Sequence, residues 1–97
     1  MSDHANDRFR VAPDHPALPG HFPGNPLVPG VLVLDRVAAA LRARGATSLA
    51  GFSQVKFTAT LKPGEDARIE LDPVGARWRF RVLRGDVVIA SGEAQTP

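Results

Sequence analysis

One strong helix signal in the middle of the chain constrains the fold more than any other feature. Pro29 stands where a first helical turn would begin, apolar and alanine residues predominate at positions 30–44, and Gly45 provides a stop. The apolar side chains cover much of the helix circumference: Val31, Leu32, Leu34, Val37, Ala38 and Leu41. We therefore predict a helix that is buried on most sides by a sheet wrapped around it.

The segments on either side of this helix favour strands. RFRVA at positions 8–12 alternates with a period of two. Further strand-like segments follow Gly45, at positions 49–61, 67–71, 77–83 and 87–90. Turn residues separate them at 62–64, 72–75 and 84–86, and the last of these predicts a hairpin. Because strands joined by short turns pair antiparallel, we predict an α+β fold with a mainly antiparallel sheet and one central helix.

Length and composition indicate one folded domain. The chain has 97 residues, of which 43% are hydrophobic and 23% charged. We predict a single domain over 1–97, with the polar residues 1–7 disordered. Its five strands and one helix leave little spare apolar area, so a sheet edge is expected to pair with another chain.

Several classes of function are disfavoured by what the sequence lacks. It contains no cysteine, which excludes a disulfide, a thiolate metal site and a cysteine nucleophile. No set of histidines and carboxylates has metal-ligand spacing. Uninterrupted apolar runs such as Val31–Leu34 are much too short to cross a bilayer, and the first residues do not resemble a secretory signal. We therefore expect a cytoplasmic protein without membrane segments. The net charge of +2 is dispersed, which argues against nucleic-acid binding.

The loop before the helix contains candidate catalytic groups. The stretch HFPGNPLVPG, residues 21–30, has three prolines and two glycines, which restrict how the His21 ring can be placed. Histidine is the natural proton acceptor near neutral pH. Gly30 would begin the helix, where its backbone N–H has no intrahelical partner. A base, an acid and a free N–H are the groups needed to remove a proton beside a thioester carbonyl.

Asp35 is the carboxylate inside the apolar part of the helix. A buried carboxylate costs several kcal/mol unless it is paired, hydrogen-bonded or protonated. Two interpretations follow. Asp35 either faces water beside Arg36, or it has a raised pKa and acts as an acid or holds a substrate hydroxyl.

The residues from His21 to Asp35 resemble the signature of the beta-hydroxyacyl-[acyl-carrier-protein] dehydratases, whose fold is the hot-dog fold. The resemblance extends from an HFPG-x-P-x-x-PG block to an acid on the central helix, and more weakly to residues 54–57 and 62–64. It implies a hydro-lyase that forms a trans-2-enoyl thioester in fatty-acid, polyene or polyketide-type synthesis, without a metal or cofactor. The implied partner is an acyl carrier protein with a phosphopantetheine-linked acyl substrate.

The same resemblance implies a role for each matched residue. His21 would abstract the C2 proton, Asp35 would protonate or orient the departing 3-hydroxyl, and the Gly30 amide would bind the thioester carbonyl. The apolar wall of the acyl tunnel would include Phe22, Leu27, Val28 and Val31. In that family the histidine and the acid come from different chains, so we expect a homodimer or higher oligomer, or a heteromer with another hot-dog subunit.

Two departures from the family keep other functions open. Ala39 stands where many members have a glutamine, and the chain is shorter than typical members. A hot-dog acyl thioesterase is one alternative, and a non-catalytic or half-site subunit of a heteromeric dehydratase is another. The alternating segment 77–81 places three arginines on one strand face, which is either a solvated basic face or a docking surface for the carrier.

Overall fold

The computed structural model describes residues 8–12, 27–46 and 49–96. Its elements are β1 (Arg8–Arg10), α1 (Gly30–Ala43), β2 (Gly51–Phe57), β3 (Asp66–Val74), β4 (Arg77–Arg84) and β5 (Val87–Gln95). The predicted disorder of residues 1–7 falls outside the described residues, and so do His21 and Phe22.

The strands form one sheet in the order β1-β3-β4-β5-β2. All four neighbouring pairs are antiparallel, so the predicted antiparallel sheet with one helix is confirmed. The predicted hairpin between β4 and β5 is also present, with a turn at Gly85 and Asp86.

Two strands are longer than the sequence pattern predicts. A break was predicted over 72–75, but β3 continues to Val74, and Pro73 pairs with Trp78 of β4. Proline is tolerated there because the described part of β1 pairs only with residues 66–68, so β3 has a single neighbour at Pro73. Strand β5 was predicted to end at residue 90 but reaches Gln95, because its second half pairs with both β4 and β2.

Strand β2 is shorter than predicted, and a loop replaces its expected end. The pattern favoured a strand over 49–61, whereas β2 spans only Gly51–Phe57. Residues 58–65 then cross to β3. In the sheet, β2 lies beside β5 at one edge, and β3 lies beside β1 near the opposite edge. The chain must therefore cross from one side of the sheet to the other between β2 and β3.

The expectation that α1 is buried on most sides is met only in part by the single chain. Val33, Val37, Ala40 and Leu41 are buried against the sheet, and Leu32 and Leu34 on either side of them are partly buried against the same core. The opposite face is exposed, and Val31 on that face has 64% of its surface accessible. One chain therefore buries less of the helix than the distribution of its apolar residues predicts.

The helix ends as its sequence predicts. The Gly45 N–H donates to the Arg42 carbonyl at 3.0 Å, and the Ala46 N–H donates to the Leu41 carbonyl at 3.1 Å. These two bonds are the Schellman arrangement, which requires a left-handed residue at Gly45, where φ is 93°.

Phe80 of β4 lies at the centre of the core. Its side chain is fully buried and meets Phe52 edge to face, with ring centroids 5.7 Å apart. Gly92 of β5 lies directly against the ring, since a Cβ at that position would be 2.9 Å from Phe80 Cε2. The absence of a side chain at Gly92 thus leaves space for the Phe80 ring to pack against β5.

The outer face of β4 carries the predicted row of arginines. Arg77, Arg79 and Arg81 are exposed, while Phe80 is buried and Trp78 is partly buried on the other face, as the alternation predicts. Arg77 pairs with Glu93 at 3.0 Å, and Arg81 pairs with Glu70. Neighbouring carboxylates therefore offset part of this positive charge, and the suggestion that the face receives a carrier protein stays a prediction.

Glu70 accepts hydrogen bonds from Arg81 and Arg68 on this face, which predicts a pH-dependent stability. Partial burial alone would raise the pKa of Glu70, but the two guanidinium groups hold it below its usual value. A lowered native pKa gives stability that is present above the unfolded-state pKa of about 4.3 and is lost as the pH falls through the native pKa. We expect Glu70→Gln to lower the free energy of unfolding by about 1 kcal/mol at neutral pH.

Urea unfolding at neutral pH and at about pH 3.5 measures this difference, which should shrink at the lower pH. Asp86→Asn in the β4–β5 turn is a matched control and should change stability little. An equal loss for Glu70→Gln at both pH values would contradict the ion-pair explanation.

Candidate active site

The amino terminus of α1 is the centre of the candidate site. Pro29 has φ −62° and ψ 145°, so it is extended, and its carbonyl accepts the Leu32 N–H at 3.0 Å. No side chain caps this end. Helix geometry therefore leaves the Gly30 N–H without an intrahelical partner at the positive end of the helix dipole, as the sequence predicted.

An apolar cavity of about 290 Å³ lies at this end of the helix. Its lining consists of Leu27, Val28, Gly30, Val33, Phe57, Ala59, Thr60, Leu61 and Ile89. Three residues proposed from the sequence, Leu27, Val28 and Gly30, are thus brought together. Val31, also proposed as a wall residue, does not line this cavity and lies on the exposed face of α1.

Hydrogen bonds hold the cavity wall formed by the loop after β2. The Val28 N–H donates to the Leu61 carbonyl at 2.8 Å, which ties the segment before α1 to this loop. Arg84 of β4 donates to the Thr60 carbonyl, and the Gly64 N–H donates to the Val11 carbonyl at 2.8 Å. The wall is therefore fixed to the sheet and to the helix start.

Phe57, the last residue of β2, is a cavity residue that sequence reasoning missed. A Cβ at Gly30 would lie 2.7 Å from Phe57 Cζ, so the ring points end-on at the start of the helix. A bulge in β2 explains the omission. Gln54 has φ 53° and the register shifts between Ser53 and Lys56, so simple alternation does not predict which way the later residues point.

Asp35 lies away from this cavity in its own chain. It is exposed, and at five residues beyond Gly30 its position on α1 is turned by about 140° from that of Gly30. The single chain thus matches the interpretation in which Asp35 faces water. Its action on a substrate bound at Gly30 would require the cavity of another chain.

The remaining predictions concern His21, Phe22, metal ions and membrane segments. His21 and Phe22 lie outside the described residues. Within residues 8–12, 27–46 and 49–96, no cluster of three or more histidines and carboxylates could hold a metal ion. In the same parts of the chain, the structure contains no helix with the length and apolar composition that crossing a bilayer requires.

Comparison with known proteins identifies the family. Residues 2–93 match the family model described as ApeI-like, ApeI dehydratase. The chain belongs to the ApeI-like dehydratase family. This membership covers nearly the whole chain and confirms the dehydratase resemblance found in residues 21–35.

Relatives of this ApeI-like chain include 3-hydroxyacyl-[acyl-carrier-protein] dehydratases named FabZ. The protein from Symbiobacterium thermophilum is 32% identical over 88 residues, covering 77% of this chain and 59% of the relative. The protein from Pelotomaculum thermopropionicum is 34% identical over 93 residues, covering 87% and 61%. The chain therefore spans about three fifths of the length of these curated relatives.

Solved structures confirm the hot-dog fold for this ApeI-like chain. The dehydratase heterocomplex ApeI:P from Xenorhabdus doucetiae matches with a TM-score of 0.79 at 25% identity, covering 91% of this chain and 81% of the other. A point mutant of the fluoroacetyl-CoA-specific thioesterase FlK matches with a TM-score of 0.63 at 22% identity, covering 93% and 82%. The FlK likeness concerns the fold alone.

Proposed function

We propose that this chain is a dehydratase that converts a 3-hydroxyacyl thioester into the trans-2-enoyl thioester and water. The observation that carries the proposal is the uncapped helix start at Gly30, which opens on an apolar cavity in a member of the ApeI-like dehydratase family. The cavity suits an acyl chain, and the Gly30 N–H suits a thioester carbonyl oxygen that gains negative charge.

The proposed reaction uses one base and one acid. His21 takes the C2 proton, the C2–H electron pair forms the C2–C3 double bond, and the C3–O bond breaks. Asp35 delivers a proton to the departing hydroxyl, which leaves as water. The Gly30 amide stabilises the charge on the thioester oxygen while the C2 proton is removed. Proton exchange with solvent then returns both side chains to their starting states.

The exposed position of Asp35 supports a site shared by two chains. Gly30 faces the cavity of its own chain, whereas Asp35 is exposed on another side of α1. A second hot-dog chain packed on that exposed face would receive Asp35 in its own cavity. We propose a homodimer as the smallest active unit, acting in the cytoplasm.

The proposed substrate is carried by an acyl carrier protein through phosphopantetheine. The names of the FabZ relatives specify acyl-carrier-protein substrates for those proteins, and we extend this to the present chain. The thioesterase alternative is not favoured, because the likeness to FlK concerns the fold alone. The half-site alternative is not favoured either, although the ApeI:P structure is a heterocomplex and makes a second, different subunit worth testing.

Incubation of the purified chain with a 3-hydroxyacyl thioester on an acyl carrier protein tests the proposal. We expect the ultraviolet absorbance of the enoyl thioester to appear without release of free thiol. Thiol release without enoyl product would indicate hydrolysis instead. Absence of both products with the chain alone, followed by turnover on addition of a second hot-dog subunit, would contradict the homodimer and favour the half-site alternative.

A further inference from the structure

We propose that Phe57 is a substrate-contacting residue that selects unbranched acyl chains at the mouth of the cavity. The proposal rests on the proposed function, because it assumes that an acyl thioester is bound at Gly30. It adds a specificity determinant that lies on β2, outside the residues 21–35 in which the candidate catalytic groups occur.

The first argument is the position of the ring. Phe57 lines the apolar cavity and is also 51% exposed, so its ring lies at the boundary between the cavity and solvent. Its Cζ atom lies 2.7 Å from where a Cβ at Gly30 would be, and both neighbouring ring carbons lie at 3.1 Å. The ring therefore lies against the Gly30 backbone, at the end of the cavity where a thioester held by the Gly30 N–H would lie.

The second argument is that the core does not need this side chain. The nearby β2 residues Phe52 and Val55 are partly buried against the core cluster, whereas Phe57 is 51% exposed and borders the cavity. The bulge at Gln54, where φ is 53°, lies between Phe52 and Phe57 and alters the direction of the later side chains. A half-exposed aromatic ring outside the core favours a role in ligand contact over a role in stability.

The third argument concerns shape. The ring leaves no space for even a methyl group on Gly30, so the passage beside the helix start is narrow. Displacing the ring to admit an extra methyl group costs about 1–3 kcal/mol, which corresponds to a preference of about fivefold to 150-fold. A straight acyl chain can pass the flat ring, whereas a chain branched near the carbonyl would collide with it.

Isothermal titration with two isomeric ligands tests this inference without turnover. The ligands are pantetheine amides of hexanoate and of 3-methylpentanoate, which have the same number of carbons, keep a carbonyl and lack a 3-hydroxyl. We expect the natural chain to bind the straight isomer about tenfold more tightly. Phe57→Ala should reduce this preference to about twofold or less. Val87→Ala is the matched control because Val87 is 45% exposed and outside the cavity, and it should keep the full preference.

Three results would overturn the inference. The first is an unchanged preference in Phe57→Ala, and the second is failure of the natural chain to bind either isomer. The third is a change in assembly size for Phe57→Ala in size-exclusion chromatography, which would assign the ring to a subunit contact. Binding and turnover separate this inference from the proposed function. A chain that binds the straight isomer selectively but dehydrates no 3-hydroxyacyl thioester would refute only the dehydratase proposal.

Discussion

Replacing His21 with alanine is expected to lower kcat for dehydration by about 10²–10⁴-fold, because removal of a general base leaves the C2 proton without an acceptor. Thermal stability should change little, since a catalytic imidazole is not expected to contribute to the apolar core. The measurement is the rate of enoyl thioester formation, together with a thermal unfolding curve for the same preparation.

His15 provides a matched control for this experiment. It is another histidine in the proline-rich stretch before the helix but has no counterpart in the HFPG block. His15→Ala should keep nearly all of the activity. Full activity in His21→Ala, or an equal loss in both variants, would remove His21 from the proposed mechanism.

Replacing Phe80 with alanine is expected to cause the largest loss of stability, about 3–5 kcal/mol, because the ring is fully buried and its removal leaves a cavity. Phe52 would lose its edge-to-face partner, and Gly92 would face an empty space. Native domains are stable by only about 5–15 kcal/mol, so this variant should unfold at much lower urea concentration.

Phe57→Ala is the control for Phe80→Ala, since it removes the same atoms from a half-exposed position. We expect it to cost about 1 kcal/mol. Urea unfolding followed by the fluorescence of Trp78 compares the two variants. A loss of similar size at both positions would show that Phe57 belongs to the core, and it would also weaken the case for its role in ligand contact.

The local features of the fold were predictable because their signals lie in neighbouring residues. Pro29 and Gly45 mark the two ends of α1 within a residue or two, and the Gly85–Asp86 turn identifies the β4–β5 hairpin. The lengths of β3 and β5 were not predictable in this way. Pro73 and Gly92 look like strand breakers in isolation, but pairing with neighbouring strands keeps both within the sheet.

Part of the candidate site was predictable from the motif, and part required tertiary structure. Gly30, Leu27 and Val28 were predicted because they lie within one contiguous motif. In the structure all three line the same cavity. Phe57 was missed because the bulge at Gln54 alters the strand alternation. The exposure of Asp35 was left open because the sequence does not say which face of α1 the sheet covers.

The claim on which the mechanism depends is that His21 and Asp35 of different chains act on one substrate. Co-expression of His21→Ala and Asp35→Asn chains carrying different tags tests it most directly, after each variant alone has been shown to be inactive. Half of randomly mixed dimers are heterodimers with one intact site out of two, so the mixture should recover about a quarter of the natural activity. A mixture that forms heterodimers but stays as inactive as its separate components would contradict a site shared between chains.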